Sequence, residues 1–207
     1  MNTPELPFSA ACARNREPII AVLRDTFGDR HEVLEIGSGT GQHAVYFAAS
    51  LPWLHWQPTD RAAALPGLRA RCALEGSSNL FEPLELDVAR DAWPLARLGL
   101  EGRWDTAFSA NTLHIMSRSE VERCFAGFGQ RLAAGAKLAI YGPFRYGGRY
   151  TSDSNARFDE ALQARDPASG IRDAEWIDAL AVDQDLELIA DHDMPANNQL
   201  RIWRRRS

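Results

Sequence analysis

The segment Val33-Leu34-Glu35-Ile36-Gly37-Ser38-Gly39-Thr40-Gly41-Gln42 runs from a strand-type apolar pattern through three closely spaced glycines into a helical one. Glycines at such a junction let the backbone approach a ligand closely. A dinucleotide fingerprint of the form GxGxxG would need glycine where Gln42 stands, so the pattern is GxGxG with Glu35 just ahead of it. Asp60, Asp87 and Asn111 close the next three strand-type runs at similar intervals. A carboxylate at Asp60 suits the two hydroxyls of a ribose, and one at Asp87 suits the exocyclic amino group of an adenine. Each acid alone also reads as a helix cap; their recurrence after one glycine-rich turn favours a ligand. His114 follows the fourth run, on the side where a second substrate should lie. With an ordinary pKa near 6.5, it could take a proton from a hydroxyl, thiol or amine. A backbone hydrogen bond at a helix start is the plainer reading of His114, and Asn111 equally suits support of the turn.

Such residues need a sheet whose strand ends face one way. Strand-type clusters alternate with helical segments, as in an α/β domain with a mostly parallel sheet. The expected order is a helix from about Arg14 to Phe27, a strand at 32–36, a helix carrying Ala44 to Ala48, and a strand at 54–59. A helix with Leu65, Leu68 and Cys72 follows, then strands at 84–86 and 105–109. Ser119 and Glu122 form a candidate capping box for the next helix, and 137–141 is a fifth strand. The stretch 142–155 is polar and glycine-rich. Helices around Phe158 and over 171–180 precede terminal strands at 186–190 and 199–203. The expected fold is α/β: Rossmann-like, doubly wound, mostly parallel and seven-stranded, with an antiparallel C-terminal hairpin. One domain over 1–207 is expected, with an N-terminal cap helix in 1–30 and a lid with helices inserted over 142–183.

Composition excludes several classes. The chain has 207 residues, 45% hydrophobic and 25% charged, which is globular and not disordered. Cys12, Cys72 and Cys124 are odd in number and far apart, against a disulfide framework or structural zinc and in keeping with a reducing cytoplasm. No apolar run is long enough to span a bilayer, and the start MNTPELPFSA lacks the pattern of a secretory signal. A net charge of −5 gives no general attraction to nucleic acid. Arg204-Arg205-Arg206 reads as a solvated end, and a single lysine, Lys137, as bacterial coding bias.

The motif set resembles the class I S-adenosylmethionine-dependent methyltransferases: VLEIGSGTG, then Asp60, then Leu86-Asp87-Val88, then Trp104-Asp105 through His114. The resemblance implies S-adenosyl-L-methionine as cofactor, with Gly37, Ser38 and Gly39 along its methionine part, Asp60 on the ribose, and Asp87 with Val88 at the adenine. Glu35, Gln42, Arg61 and Asn111 join them as expected cofactor-site residues. A narrower resemblance covers nearly the whole chain. The segments 7–19, Gly41-Gln42-His43-Ala44, Tyr141-Gly142-Pro143-Phe144, 151–155, Gly170-Ile171-Arg172-Asp173 and 194–198 look like the methyltransferase-like 26 group of predicted methyltransferases. Ser169 departs from it, standing where an aromatic residue is expected.

Arg14 and Asn15 are expected at the cofactor, in a segment from Phe8 that folds over it, with the Arg14 guanidinium meeting a carboxylate. His43 faces the same question, with a structural role favoured. His114 and Tyr146 are the expected catalytic residues. Tyr146 and Arg145, on a stretch flexing at Gly147-Gly148, should enclose a small polar acceptor opposite Asn198. No acidic cluster surrounds Asn111, so no metal is expected. The expected function is methyl transfer to a small molecule, without nucleic-acid or membrane partners. The alternatives are a non-catalytic cofactor-binding regulator and, less favoured, a nicotinamide-dependent oxidoreductase. Acceptor, nucleophilic atom and oligomeric state are not legible.

Overall fold

Five consecutive buried residues, Glu32–Ile36, form β1, the pattern of a strand covered on both faces. Around it the computed structural model, which describes residues 6–90 and 93–207, builds one seven-stranded sheet. Its parallel strands are β1, β2 (His55–Asp60), β3 (Leu84–Glu85), β4 (Trp104–Ala110) and β5 (Leu132–Gly142). A small second sheet holds β6 (Phe144–Tyr146), β7 (Arg149–Tyr150) and β8 (Arg172–Asp173). The last strands, β9 (Leu186–Met194) and β10 (Asn198–Arg205), complete the main sheet in the order β3-β2-β1-β4-β5-β10-β9, with β10 antiparallel to both neighbours. The fold is therefore α/β, Rossmann-like and mostly parallel with an antiparallel terminal hairpin. Chain order reverses between β1 and β4, where ligands of such sheets bind at the carboxyl ends.

Helices α1 (Ala10–Thr26), α2 (Gln42–Ser50), α3 (Leu65–Glu75), α4 (Arg118–Arg131), α5 (Asp153–Arg165) and α6 (Ala174–Val182) complete the order. Strand alternation sends Val33 to one core and Leu34 to the other. The first core joins α1 and α2 to the sheet through Leu23, Phe47, Trp56 and Phe108. The second joins α4 and α6 to the opposite face through Trp104, Phe125, Ile177 and Trp203.

Several boundaries differ from the sequence reading. Helix α1 starts at Ala10, not Arg14, because Ser9 is its N-cap, accepting the Cys12 N–H at 3.4 Å. Arg14 and Asn15 thus lie within the helix and not ahead of it. The capping box of α4 is Ser117 with Glu120, not Ser119 with Glu122. The 142–155 stretch is not a plain loop: β6 and β7 pair across Gly147 and Gly148. Both glycines have positive φ, 55° and 72°, the geometry of a tight hairpin turn and not of a hinge. The first five residues of the expected N-terminal segment lie outside the described residues.

Candidate functional site

The ends of β1 and β2 are stitched together by the glycine-rich turn. Gly37 and Ser38 N–H donate to Thr59 O at 3.1 and 2.9 Å, and Thr59 N–H donates to Ser38 Oγ at 3.1 Å. Beneath the turn, Glu35 is 2% exposed and accepts Ser38 Oγ–H at 2.8 Å and Trp56 Nε1–H at 2.9 Å, both on Oε2. Burial pushes its carboxyl up to about 7. Glu35 therefore holds the turn from below and does not reach the ligand side.

Above the turn lies a cavity of about 580 Å³, within the range of small-molecule sites. Ile36, Gly37, Ser38 and Gly39 form one wall. Asp60 closes β2 beside them, taking the Gly39 N–H at 2.6 Å on one carboxylate oxygen and the Arg61 N–H at 2.7 Å on the other. Leu86, Val88 and Met116 supply an apolar shelf next to that carboxylate. Arg61 lines the mouth, its guanidinium paired with Glu120. Asn111 turns the chain off β4 at φ 57°, a left-handed conformation that Asn tolerates, and lines the opposite wall. The residues fit a nucleoside-bearing cofactor: a carboxylate with lone pairs to spare, an apolar shelf for a base, and a close-approach backbone.

Five expected cofactor residues do not line this cavity. Arg14 is exposed on α1. Asn15 is buried, its Oδ1 2.7 Å from His43 Nε2. Gln42 faces the N-terminal segment, accepting Ser9 N–H at 2.5 Å and donating to Ser9 O at 3.3 Å. Asp87 turns its carboxylate to the Ala89 N–H at 3.0 Å, 4.0 Å from Arg61 Nε, while its neighbours Leu86 and Val88 face the cavity. Glu35 is the fifth, for the reason above. Gln42 and His43, by holding Ser9 and Asn15, nevertheless anchor the strap that brings Ser9, Ala11 and Cys12 onto the cavity wall.

The profile of the DUF938 family, described as a protein of unknown function, matches residues 6–205. The chain belongs to the DUF938 family. Solved structures share the fold. An O-methyltransferase family protein from Burkholderia thailandensis is 18% identical with a TM-score of 0.76, the match covering 92% of this chain and 56% of that one. The S-adenosylmethionine-dependent methyltransferase SibL is 19% identical, TM-score 0.78, covering 96% and 56%. An O-methyltransferase family 2 protein from Planctomyces limnophilus, in complex with apigenin, is 16% identical, TM-score 0.72, covering 92% and 61%. At these identities the likeness is one of fold, and the DUF938 chain spans less than two thirds of each.

The DUF938 cavity is also lined by His114, Pro143, Asn155, Phe158 and Asn198. Burial and the nearby Arg172 charge push the His114 imidazole down to about 4, so the ring is neutral near pH 7. Phe158 meets it edge-on at 5.3 Å. His43 also lines the cavity, is pushed down to about 4 by burial, and stacks on Phe47 at 5.0 Å. Tyr146 does not join His114: its hydroxyl donates to Asp191 at 2.7 Å, away from the cavity. Arg145 is likewise turned away, held by Asp173 at 3.0 and 2.8 Å. Both belong to the β6 strand, whose pairing the 142–155 reading missed. Asn155 and Phe158 had one readable signal, the Ser152 N-cap that starts α5 beside them. Among the described residues no group of three or more His, Cys, Asp or Glu could hold a metal, and no helix is long and apolar enough to cross a membrane.

Proposed function

We propose that this DUF938 protein binds S-adenosyl-L-methionine and transfers its methyl group to a small molecule. The observation that carries the reading is the Asp60 carboxylate standing between the Gly37–Gly39 wall and the Leu86–Val88 shelf of one cavity. Asp60 would orient the ribose, the shelf would take the adenine, and the turn would accommodate the methionine part. Bound there, the cofactor supplies an electrophilic methyl group on sulfur. Such a transfer depends on alignment more than on elaborate acid-base chemistry. His114, neutral at physiological pH, would accept the proton of a hydroxyl or thiol acceptor held against Phe158 and Asn198. The S-adenosylmethionine-dependent name of SibL and the apigenin complex of the Planctomyces limnophilus protein support this reading. So do the segments similar to the methyltransferase-like 26 group. Three free cysteines accord with a cytoplasmic protein.

Titration calorimetry with S-adenosylmethionine, S-adenosylhomocysteine and NAD tests it. The first two should bind and NAD much more weakly. Asp60→Ala should weaken S-adenosylhomocysteine by roughly 1.5–3 kcal/mol, the range for a hydrogen bond to a charged group. Tight NAD binding alone, or an unchanged affinity in Asp60→Ala, would overturn the reading.

A further inference from the structure

A second cavity, of about 460 Å³, shares no lining residue with the first. The two are joined by one stretch of chain. His114, Ile115 and Met116 line the first, while Arg172, on the wall of the second, donates to the carbonyls of Leu113 and Met116. The second cavity is lined by Gly170, Ile171 and Arg172, a run that also buttresses the first through Gly170 N–H on His114 O at 2.9 Å.

Its charge is one-sided. Arg118, Arg145 and Arg172 lie on its wall, and among the described residues no carboxylate does. Arg145 is compensated by its fork to Asp173. Arg118 forms no ion pair among the described residues and lies over the Trp176 ring at 3.9 Å. Arg172 is 7% exposed, yet its Nε and Nη2 reach only backbone carbonyls, those of Leu113, Met116 and Ala168. Its Nη1 has no hydrogen-bond partner among the described residues. The carboxylates nearest in effect are spent elsewhere: Asp159 accepts from Ile171 N–H, Tyr150 and Gln163, and Glu120 from Ser117 N–H and Arg61. A buried guanidinium without a counter-anion is costly. Desolvation first, and then the charges of Arg118 and Arg145, push Arg172 below its ordinary value against the opposing pull of Asp159 and Glu120.

The remaining lining adds neutral donors. Ser117 and Ser119 pair hydroxyl to hydroxyl at 3.2 Å, which leaves one O–H to donate, and the fourteen-residue helix α4 begins at the cavity with its first turn closed by the Ser117–Glu120 capping box. Ser169 also lines this wall, buried and with its hydroxyl donating to Ile115 O at 3.3 Å. We propose that this cavity is a second ligand site, taking the phosphate group of a small molecule, free or esterified, on Arg172 and Arg118. Among the described residues no protein acceptor takes the Arg118 guanidinium, which leaves its whole fork for a pair of phosphate oxygens, while Arg172, with Nε and Nη2 held by carbonyls, offers Nη1. The volume suits a small ester, and the chain's net charge of −5 disfavours a polyanion such as nucleic acid. The site stands whether or not the first cavity binds S-adenosylmethionine.

The test is titration of inorganic phosphate and of glycerol phosphate into the protein, followed by phosphorus NMR, with sodium chloride at matched ionic strength as control. Saturable binding of either phosphate is expected, tighter for the ester if the natural ligand is esterified. Arg118→Gln, an exposed position that should fold normally, is expected to weaken phosphate about tenfold or more, equivalent to about 1.4 kcal/mol. Its affinity for S-adenosylhomocysteine should stay that of the parent. Arg172→Lys keeps the charge but loses the free Nη1 donor, and should weaken phosphate as well. Phosphate acting no differently from chloride, or an Arg118→Gln protein binding phosphate like the parent, overturns the proposal.

Discussion

Gly37→Ala is expected to be among the most damaging single-methyl additions in the chain. Gly37 has φ +73°, and a residue with a Cβ in that left-handed region loses roughly 1–2 kcal/mol. The new Cβ would also stand 2.7 Å from Thr112 Cγ2 and 2.8 Å from Thr112 Oγ1, well inside the carbon–carbon optimum of about 3.5–4.0 Å. Thr112 cannot swing away freely, because its hydroxyl donates to Ala110 O at 3.0 Å. Forcing such an overlap costs roughly 1–3 kcal/mol, so the sum is about 2–5 kcal/mol. Urea unfolding of Gly37→Ala, Thr112→Ala and the double variant separates the two contributions. Thr112→Ala removes both close atoms and leaves only its Cβ at 3.4 Å. The cycle should therefore return a favourable coupling of about 1–3 kcal/mol, with the backbone strain remaining. A cost below about 1 kcal/mol for Gly37→Ala, or no coupling in the cycle, would refute the close approach of the turn to Thr112.

Stability should depend on pH through buried groups with opposed effects. His43 and His114 are held down to about 4, so between there and about 6.5 the unfolded chain carries protons that the folded one lacks, and stability rises with pH. Glu35, raised to about 7, works in the other direction: its contribution is present below its unfolded value of 4.5 and is lost as pH rises through 7. Glu35→Gln can keep both hydrogen bonds on one oxygen, so its stability relative to the parent should increase by about 3 kcal/mol from below pH 4.5 to above pH 7. Urea midpoints at the two ends of that window measure this, and a constant difference would contradict the burial of a titrating Glu35. Gln42→Ala should release Ser9 at a cost of about 1 kcal/mol and speed amide exchange in the first turn of α1. Equal exchange in both proteins would deny the strap.

The sheet was legible because its signals are local: apolar runs ending at Gly37, Asp60 and Asn111 depend on little beyond their neighbours. The α4 start shows where locality fails. Ser117 with Glu120 and Ser119 with Glu122 both satisfy the capping box, and only the apolar pair Met116 and Val121, flanking the first turn in one core, favours the former. The fates of Asp87 and Gln42 were not legible, since a carboxylate or amide at a strand end serves equally a ligand, a turn or a passing segment. Which it serves depends on residues far away in the chain, such as Ser9 for Gln42. The β6–β7 hairpin escaped because strands of two or three residues carry no periodicity. Its Gly147-Gly148 turn was visible but consistent with flexibility as well as with a hairpin.

The position of β10 sets the order in which the molecule can be assembled. It follows β9 in the chain yet lies between β5 and β9 in the sheet, so β9 has no strand partner until β10 arrives. On a ribosome, the five parallel strands can pair as they emerge, while β9 must wait with an open edge for the segment Asn198–Arg205. Until then Trp203 and Arg201, both nearly fully buried in the finished protein, are missing from the core above α6. Closure of that seam pairs β10 with β5 across the intervening 143–197 and completes the sheet. A nascent chain stalled just before it would offer an unpaired strand edge to chaperones, or to the same edge of another nascent copy.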